Sequence, residues 1–582
     1  MDAERKKLLV RGGVAAGVIL AAIVAMKKLG GDSSSSIADA STTNAAPVPA
    51  PDGLLFDGYV TTPNTSWSKL QRGVGGAVGI LPATLPGVVV TMTDLDPTLA
   101  SELDGTSPMF GAAAGDPTSP AFTFAMKITD PRRARMLLVD GDTARFTPSE
   151  ATGMTFLVPK VHPQDQKLAV ALSDNGFLLV GKTRPDVEKL GPYVVRTLPS
   201  RPLAAEYAAV IDVPRSALGS VLRPRLERAW QDAKEFLHVE DERMRKERGG
   251  RAPDFGDPGA IVAAVDPIIG RRIAVVGDLA SVRIAIDIAD DAAVITTTMK
   301  PEGAAAKEWI DGMSVGDPAP LLSLPATSAL ALVTRDAESA RTAQTDEIEK
   351  GITSALGPRL KEEDKKKLHD VLADAAKARG DTLAIAVSLD EPAGSLLRMP
   401  VRDEAAAQKS IKGALDLAQA DPFKELLRVK SLTNATEDLK DIGKASVATI
   451  EREPKKKTDA KPEAKADAGA AKKPDTVGVA WFVEGKDLTI AAGPEATVTL
   501  HLGARPQRKL ETEPTITRFA GAVGQSASTF IVAQPLRADP TRAALPTAPL
   551  AIAVGRKGSD GFIRVEIADG LLREAARWQM GF

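Results

Sequence analysis

The stretch LAVALSDNGFLLVG, residues 168–181, sets the reading of the chain. Two short apolar runs flank Ser173-Asp174-Asn175-Gly176. Each run is too short for an independent helix, and Asn-Gly tolerates the positive φ of a tight type I′ turn. The stretch therefore predicts a β-hairpin. A second stretch, VGVAWFVEGKDLTIAAG at 477–493, repeats the pattern.

Further strings recur around these two in the same order. Leu81-Pro82-Ala83-Thr84, followed by LPGVVVTMTD, matches Leu324-Pro325-Ala326-Thr327, followed by SALALVTRD. AFTFAMKITD, ending at Asp130, matches GSLLRMPVRD, ending at Asp403. Each is expected to be a strand that stops at an Asp and runs into an Ala/Arg/Lys-rich helix. AEYAAVIDV matches STFIVAQPL, and VRIAIDIADD at 282–291 matches FIRVEIADG at 562–570. The last pair leads toward Ala-rich helices carrying Trp309 and Trp578. The shared order predicts an α+β fold of two similar, mostly antiparallel sheet-plus-helix repeats, at 56–320 and 321–582.

Changing offsets between the matches locate insertions. Repeat two gains Asp346–Arg379, where Ile348, Ile352, Leu356, Leu360, Leu368 and Leu372 make a helical apolar stripe. It also gains residues 453–475 (EPKKKTDAKPEAKADAGAAKKPD), a tract nearly free of large apolar residues and expected to be a disordered loop. Repeat one gains Val221–Arg248, with Leu222, Leu226, Trp230, Ala233 and Leu237 at helical spacing.

The N-terminus carries a different signal. Gly12–Met26 is uninterrupted apolar or small, preceded by Arg5, Lys6, Lys7 and Arg11 and followed by Lys27 and Lys28. Fifteen helical residues reach roughly 22 Å, short of a ~30 Å hydrocarbon core. Leu8–Val10 extend the span if Arg11 snorkels. Residues 1–29 are expected to form a membrane anchor with a cytoplasmic N-terminus. Cleavage after Ala38-Asp39-Ala40 is the competing expectation. Residues 30–55, rich in Ser, Ala, Thr and Pro, read as a flexible tether.

Composition sets limits. The 582 residues carry a net charge of -2, which gives no general electrostatic case for nucleic acid. Cysteine is absent, so disulfides, cysteine-ligated metals and a lipidated cysteine are excluded.

Several motifs suggest chemistry and are better explained otherwise. Gly176-Phe-Leu-Leu-Val-Gly181-Lys182-Thr183 fits a phosphate-binding loop, but Phe177–Val180 look like a buried strand, where that chemistry needs free backbone N–H groups. Ser66-Trp67-Ser68-Lys69, Ser173-Asp174-Asn175 and Lys182-Thr183 resemble the motifs of penicillin-binding proteins and serine β-lactamases. That resemblance implies Ser66 as nucleophile and Lys69 as its base. Arg184 replaces the final glycine of the family pattern, and Ser66 is read as a helix cap instead. His238, Glu242 and Glu235 could offer metal ligands but sit in a charged helical run. Asp94-Leu-Asp96 lacks the rest of a calcium loop. Gly524-Gln-Ser526-Ala-Ser528 misses the last glycine of a nucleophile elbow. No catalytic, cofactor or metal residue is assigned.

The layout of anchor, tether and duplicated body with L-P-A-x strand starts resembles uncharacterised single-pass bacterial envelope proteins of myxobacterial type. The expectation is a non-enzymatic binding or scaffolding protein anchored in the cytoplasmic membrane through residues 8–29, with its body in the periplasm. Its expected partners are an envelope protein, a wall polymer or a lipid. The alternatives are a periplasmic serine hydrolase and a lipid-handling carrier.

Overall fold

A computed structural model describes residues 46–75, 78, 81–247, 258–389, 393–453, 475–538 and 548–580. The apolar segment 12–26, the tether up to residue 45 and the Lys-rich tract 454–474 lie outside the described residues. No helix among the described residues is long and apolar enough to cross a membrane.

The fold is α+β, and its paired strands run antiparallel. Internal packing divides it into two compact units, neither of which is one continuous stretch. Unit 1 takes residues up to 224, then 276–303, then 563 onward; unit 2 takes 225–275 and 304–562.

In unit 1 the strands are β1 (Leu54–Val60), β2 (Met109–Ala114), β3 (Ala121–Lys127), β4 (Phe146–Ala151) and β5 (Met154–Pro159). They continue with β6 (Ala169–Ser173), β7 (Phe177–Gly181), β8 (Ala209–Pro214), β9 (Leu279–Ile288) and β10 (Ala292–Pro301). They pair in the order β4-β5-β6-β7-β3-β2-β1-β8-β9-β10. Helices cover both faces. Leu178 and Val180 join one core with Val89, Leu99 and Leu138, while Phe177 and Leu179 join another with Val187, Tyr193 and Leu198. All five residues of β7 are buried, as expected of a strand covered on both sides.

Unit 2 holds β11 (Leu330–Arg335), β12 (Thr382–Ser388), β13 (Gly394–Pro400), β14 (Val429–Leu439) and β15 (Gly443–Arg452). β16 (Thr476–Glu484), β17 (Asp487–Gly493), β18 (Ala527–Ala533) and β19 (Leu550–Lys557) follow. They pair as β14-β15-β16-β17-β13-β12-β11-β18-β19. Ala331, Val333, Ala384, Leu396 and Ala480 meet Leu500, Phe519 and Phe530 in the larger core of this unit. The expected stripe from Ile352 to Leu372 packs as a cluster, with Leu356, Leu360 and Leu368 buried, while Ile348 is exposed.

The deciding hairpin forms, β6 against β7 with Leu172 opposite Leu178. Its turn differs from the expected type I′. Gly176 donates its N–H to the Ser173 carbonyl at 3.0 Å, and Gly176 has φ 78° whereas Asn175 is not left-handed. A three-residue loop with one left-handed glycine does the work.

One string match falls on unlike elements, and another on strands that hold different places in the pairing order. Leu85–Met92 is a helix and not a strand, whereas Leu330–Arg335 is β11. The Thr84 side chain caps that helix by accepting the Gly87 N–H, Pro86 suits its first turn, and burial of Val88, Val89 and Val90 overrides their β preference. VRIAIDIADD lies mostly on β9. FIRVEIADG lies mostly on β20 (Asp560–Ala568), which pairs with β10. Ser66 is not the cap it was expected to be: its helix spans Pro63–Val74, with Thr62 at the N-cap.

Candidate functional site

A cavity of about 320 Å³ opens in unit 1, lined by Asp57, Tyr59, Leu198, Arg201, Asp212 and Arg283 among others. Its chemistry begins with an irregularity in β1. The register of β1 on β2 shifts between Leu54 and Phe56. An extra residue there reverses the alternation of faces. Leu54 and Leu55 are consequently both buried, Phe56 is exposed, and Asp57 turns inward with only 4% of its surface accessible.

A carboxylate so placed needs partners. The Tyr193 hydroxyl donates to Asp57 Oδ2 at 2.6 Å. Arg201 Nη1 donates to Oδ1 and Oδ2 at 3.0 and 3.1 Å. Arg201 Nη2 donates onward to the Tyr193 oxygen at 2.5 Å, and the guanidinium lies 5.5 Å from the ring centroid. Tyr193 opens a π-helical turn, Tyr193–Thr197, and Arg201 follows the 3₁₀ turn Leu198–Ser200. This departure from regular helix brings both side chains to one carboxylate.

The second carboxylate arrives by strand register. Asp212 on β8 lies directly opposite Asp57, and Arg283 on β9 lies directly opposite Asp212. Residues paired in this way share a sheet face, where two like charges side by side are unfavourable. Arg283 relieves the clash with Nε and Nη2 bonds to the two Asp212 oxygens, at 2.8 and 3.0 Å. Tyr59, two residues along from Asp57, accepts the Ala204 N–H at 2.8 Å. The result is a row of acid, acid and base closed by a second base, with no formal net charge.

Proton affinities follow from these contacts. Burial, then the bond to Asp57 and its charge, push the Tyr193 phenol up, so it stays neutral. The bond to Asp212 raises Arg283. Burial pulls Arg201 down, but the electrostatic pull of Asp57 and Tyr193 and the bonds to both together outweigh it, and the net shift is upward.

The residues that the motifs single out serve structure. Phe177–Gly181 is strand β7, and a Cβ on Gly181 would come 2.6 Å from Val187 and 2.8 Å from the Phe122 carbonyl. Close packing, not a phosphate, explains that glycine. Thr183 caps the helix Arg184–Pro192 in a reciprocal box with Asp186. Ser173 Oγ donates to Asn175 Oδ1 at 2.6 Å, Asn175 Nδ2 donates to the Val195 carbonyl, and Lys182 Nζ donates to Ser119 Oγ at 3.0 Å. Ser66 is buried on its helix, and no hydrogen bond joins it to Lys69. His238 and Glu242 meet at 3.4 Å on an exposed helix face, and no group of metal-ligating residues forms among the described residues. Asp96 caps the 3₁₀ turn Pro97–Ser101, and Gly524 ends the helix Pro514–Val523 with φ 59°. The cavity residues were missed by sequence reasoning. Their signal is a charge inside an otherwise apolar strand: Asp57 alone in LLFDGYV, Asp212 alone in AVIDVP, and Arg283, with Asp287 as a second charge, in LASVRIAIDI.

No family model and no curated protein matches the chain. Two solved structures show a slight likeness. Crystal form IV of TP0453 is 9% identical, covers 42% of this chain and 76% of that one, and has a TM-score of 0.21. Crystal form III is 10% identical, covers 44% and 96%, and has a TM-score of 0.19. Likeness at this level carries nothing over to the site.

Proposed function

We propose that the chain is a non-enzymatic binding protein of the bacterial envelope, held at the cytoplasmic membrane through residues 8–29, with a duplicated body outside. The observation that carries the binding reading is the mutual commitment of the ionisable groups in the cavity. Asp57 is held by Tyr193 and Arg201, and Asp212 by Arg283. A general base or nucleophile needs a displaced proton affinity and an open partner position. A fixed row of donors and acceptors without net charge suits recognition of hydroxyl and amide groups, and a wall glycan carries both.

Strand topology supports duplication better than string matching does. Adding ten to each strand number converts the unit 1 pairings β1·β2, β1·β8, β2·β3, β3·β7, β4·β5, β5·β6, β6·β7 and β8·β9 into those of unit 2. The acid–arginine row belongs to unit 1: β18 (ASTFIVA), in the place of β8, has no charged residue. On this reading one repeat kept or gained a ligand and the other serves as framework.

Retention on isolated wall sacculi tests the reading with the full-length chain in mild detergent. Asp212→Ala and Arg283→Ala alter partly exposed residues, so the fold should hold. Each is expected to weaken retention about tenfold, the loss of one charged hydrogen-bonded contact. Retention equal to wild type in both variants would defeat the assignment of the cavity.

A further inference from the structure

The helix Arg223–Glu247 enters the chain between β8 and β9. Its inner side is settled by Trp230 Nε1 and Lys234 Nζ, which donate to Asp266 Oδ1 at 2.6 and 2.9 Å. Asp266 belongs to the helix Pro258–Gly277. A different face carries Arg228, Asp232, Phe236, Val239, Arg243 and Glu247, spaced four, four, three, four and four residues apart. That spacing keeps all six on one stripe. All six are exposed, Phe236 at 67% and Val239 at 58%.

Two large apolar side chains at the middle of a charged exposed helix call for a cover. The order of charges identifies it. The stripe reads base, acid, apolar, apolar, base, acid. Turned end for end against itself, it sets Arg228 opposite Glu247, Asp232 opposite Arg243 and Phe236 opposite Val239. Each contact then occurs twice about a two-fold axis, as an isologous pair requires. The apolar pair falls at the centre, where binding energy concentrates, with charges at the rim. An anionic lipid surface is a poorer cover, because the stripe has two bases and two acids and therefore no basic excess. Arg243 pairs with Glu240 at 2.7 Å and Glu247 at 3.6 Å within its own helix. Such exposed pairs are weak, so exchanging them across an interface costs little.

We propose that two copies of the chain associate antiparallel through this stripe. Sedimentation equilibrium of the full-length chain in detergent tests it with Asp232→Arg, Arg243→Asp and the double swap. Each single reversal places like charges opposite each other twice and is expected to weaken association about tenfold. The double swap restores opposite charges and should return affinity to within about twofold of wild type. Phe236→Ser should weaken association without reference to charge, and circular dichroism would verify the helix in each variant. A wild-type chain that is monomeric at about 100 μM, the weak end for a specific interface, overturns the proposal. So do single reversals that associate like wild type, which would place any dimer contact elsewhere, and a double swap no better than the singles.

Discussion

Asp57 shows how one side chain can set both stability and recognition. Its carboxylate accepts from Tyr193 and Arg201 while nearly inaccessible to water. Replacement by Ala strands a buried hydroxyl and leaves a guanidinium without its counter-charge. Breaking a buried pair costs about 3–5 kcal/mol. Arg201 is 42% exposed along its side chain and can turn to solvent, so Asp57→Ala should cost about 3 kcal/mol in urea unfolding. Tyr193 gives a pH signature. Its phenol is raised in the folded state, first by burial and then by Asp57. The folded chain thus holds this proton more tightly than the unfolded chain. The stabilisation is complete below the ordinary phenol range near ~10 and is lost as pH climbs beyond it. Phenolate absorbance should show Tyr193 ionising with unfolding, and Tyr193→Phe should remove that part of the alkaline destabilisation.

At the scale of elements, the junction of β7 with its following helix separates two glycine and threonine roles that a phosphate loop would merge. Thr183→Ala removes the capping box and should cost about 1 kcal/mol. Gly181→Ala forces a Cβ against Val187 and a carbonyl and should cost about 1–3 kcal/mol. Thermal melts of the two variants check both figures. The hairpin here was legible in sequence because burial on both faces leaves a continuous apolar run bounded by turn residues. Leu85–Met92 was not legible as a helix. Three consecutive valines read as strand, and only the Thr84 cap and the packing of Val88–Val90 reverse that preference.

Across the whole molecule, the α+β class and antiparallel pairing were legible because local alternation carries them. The candidate site was not, since its residues lie at 57, 193, 201, 212 and 283 and meet only through strand register and an irregular helix. Non-local pairing has no fixed sequence spacing. An anchor at residues 8–29 would hold the whole molecule at the membrane. Full-length chain should stay with membranes through alkaline carbonate washing, whereas a chain starting at residue 30 should be released. Equal release of both forms would remove the anchor.

The discontinuity of unit 1 also bears on how the molecule is made. Strand β20 from Ile563 onward belongs to the unit that begins near residue 46, beside β10, and Arg573 Nε donates to the Gly73 carbonyl at 3.0 Å. A ribosome builds the chain from one end, so the first-made unit must wait, with the edge of β10 open, for a strand whose Arg564 lies 268 positions beyond Thr296. During that wait it is a natural client for a holding chaperone. A translation product cut short before β20 would carry the same unfinished edge permanently, marking it for proteolysis.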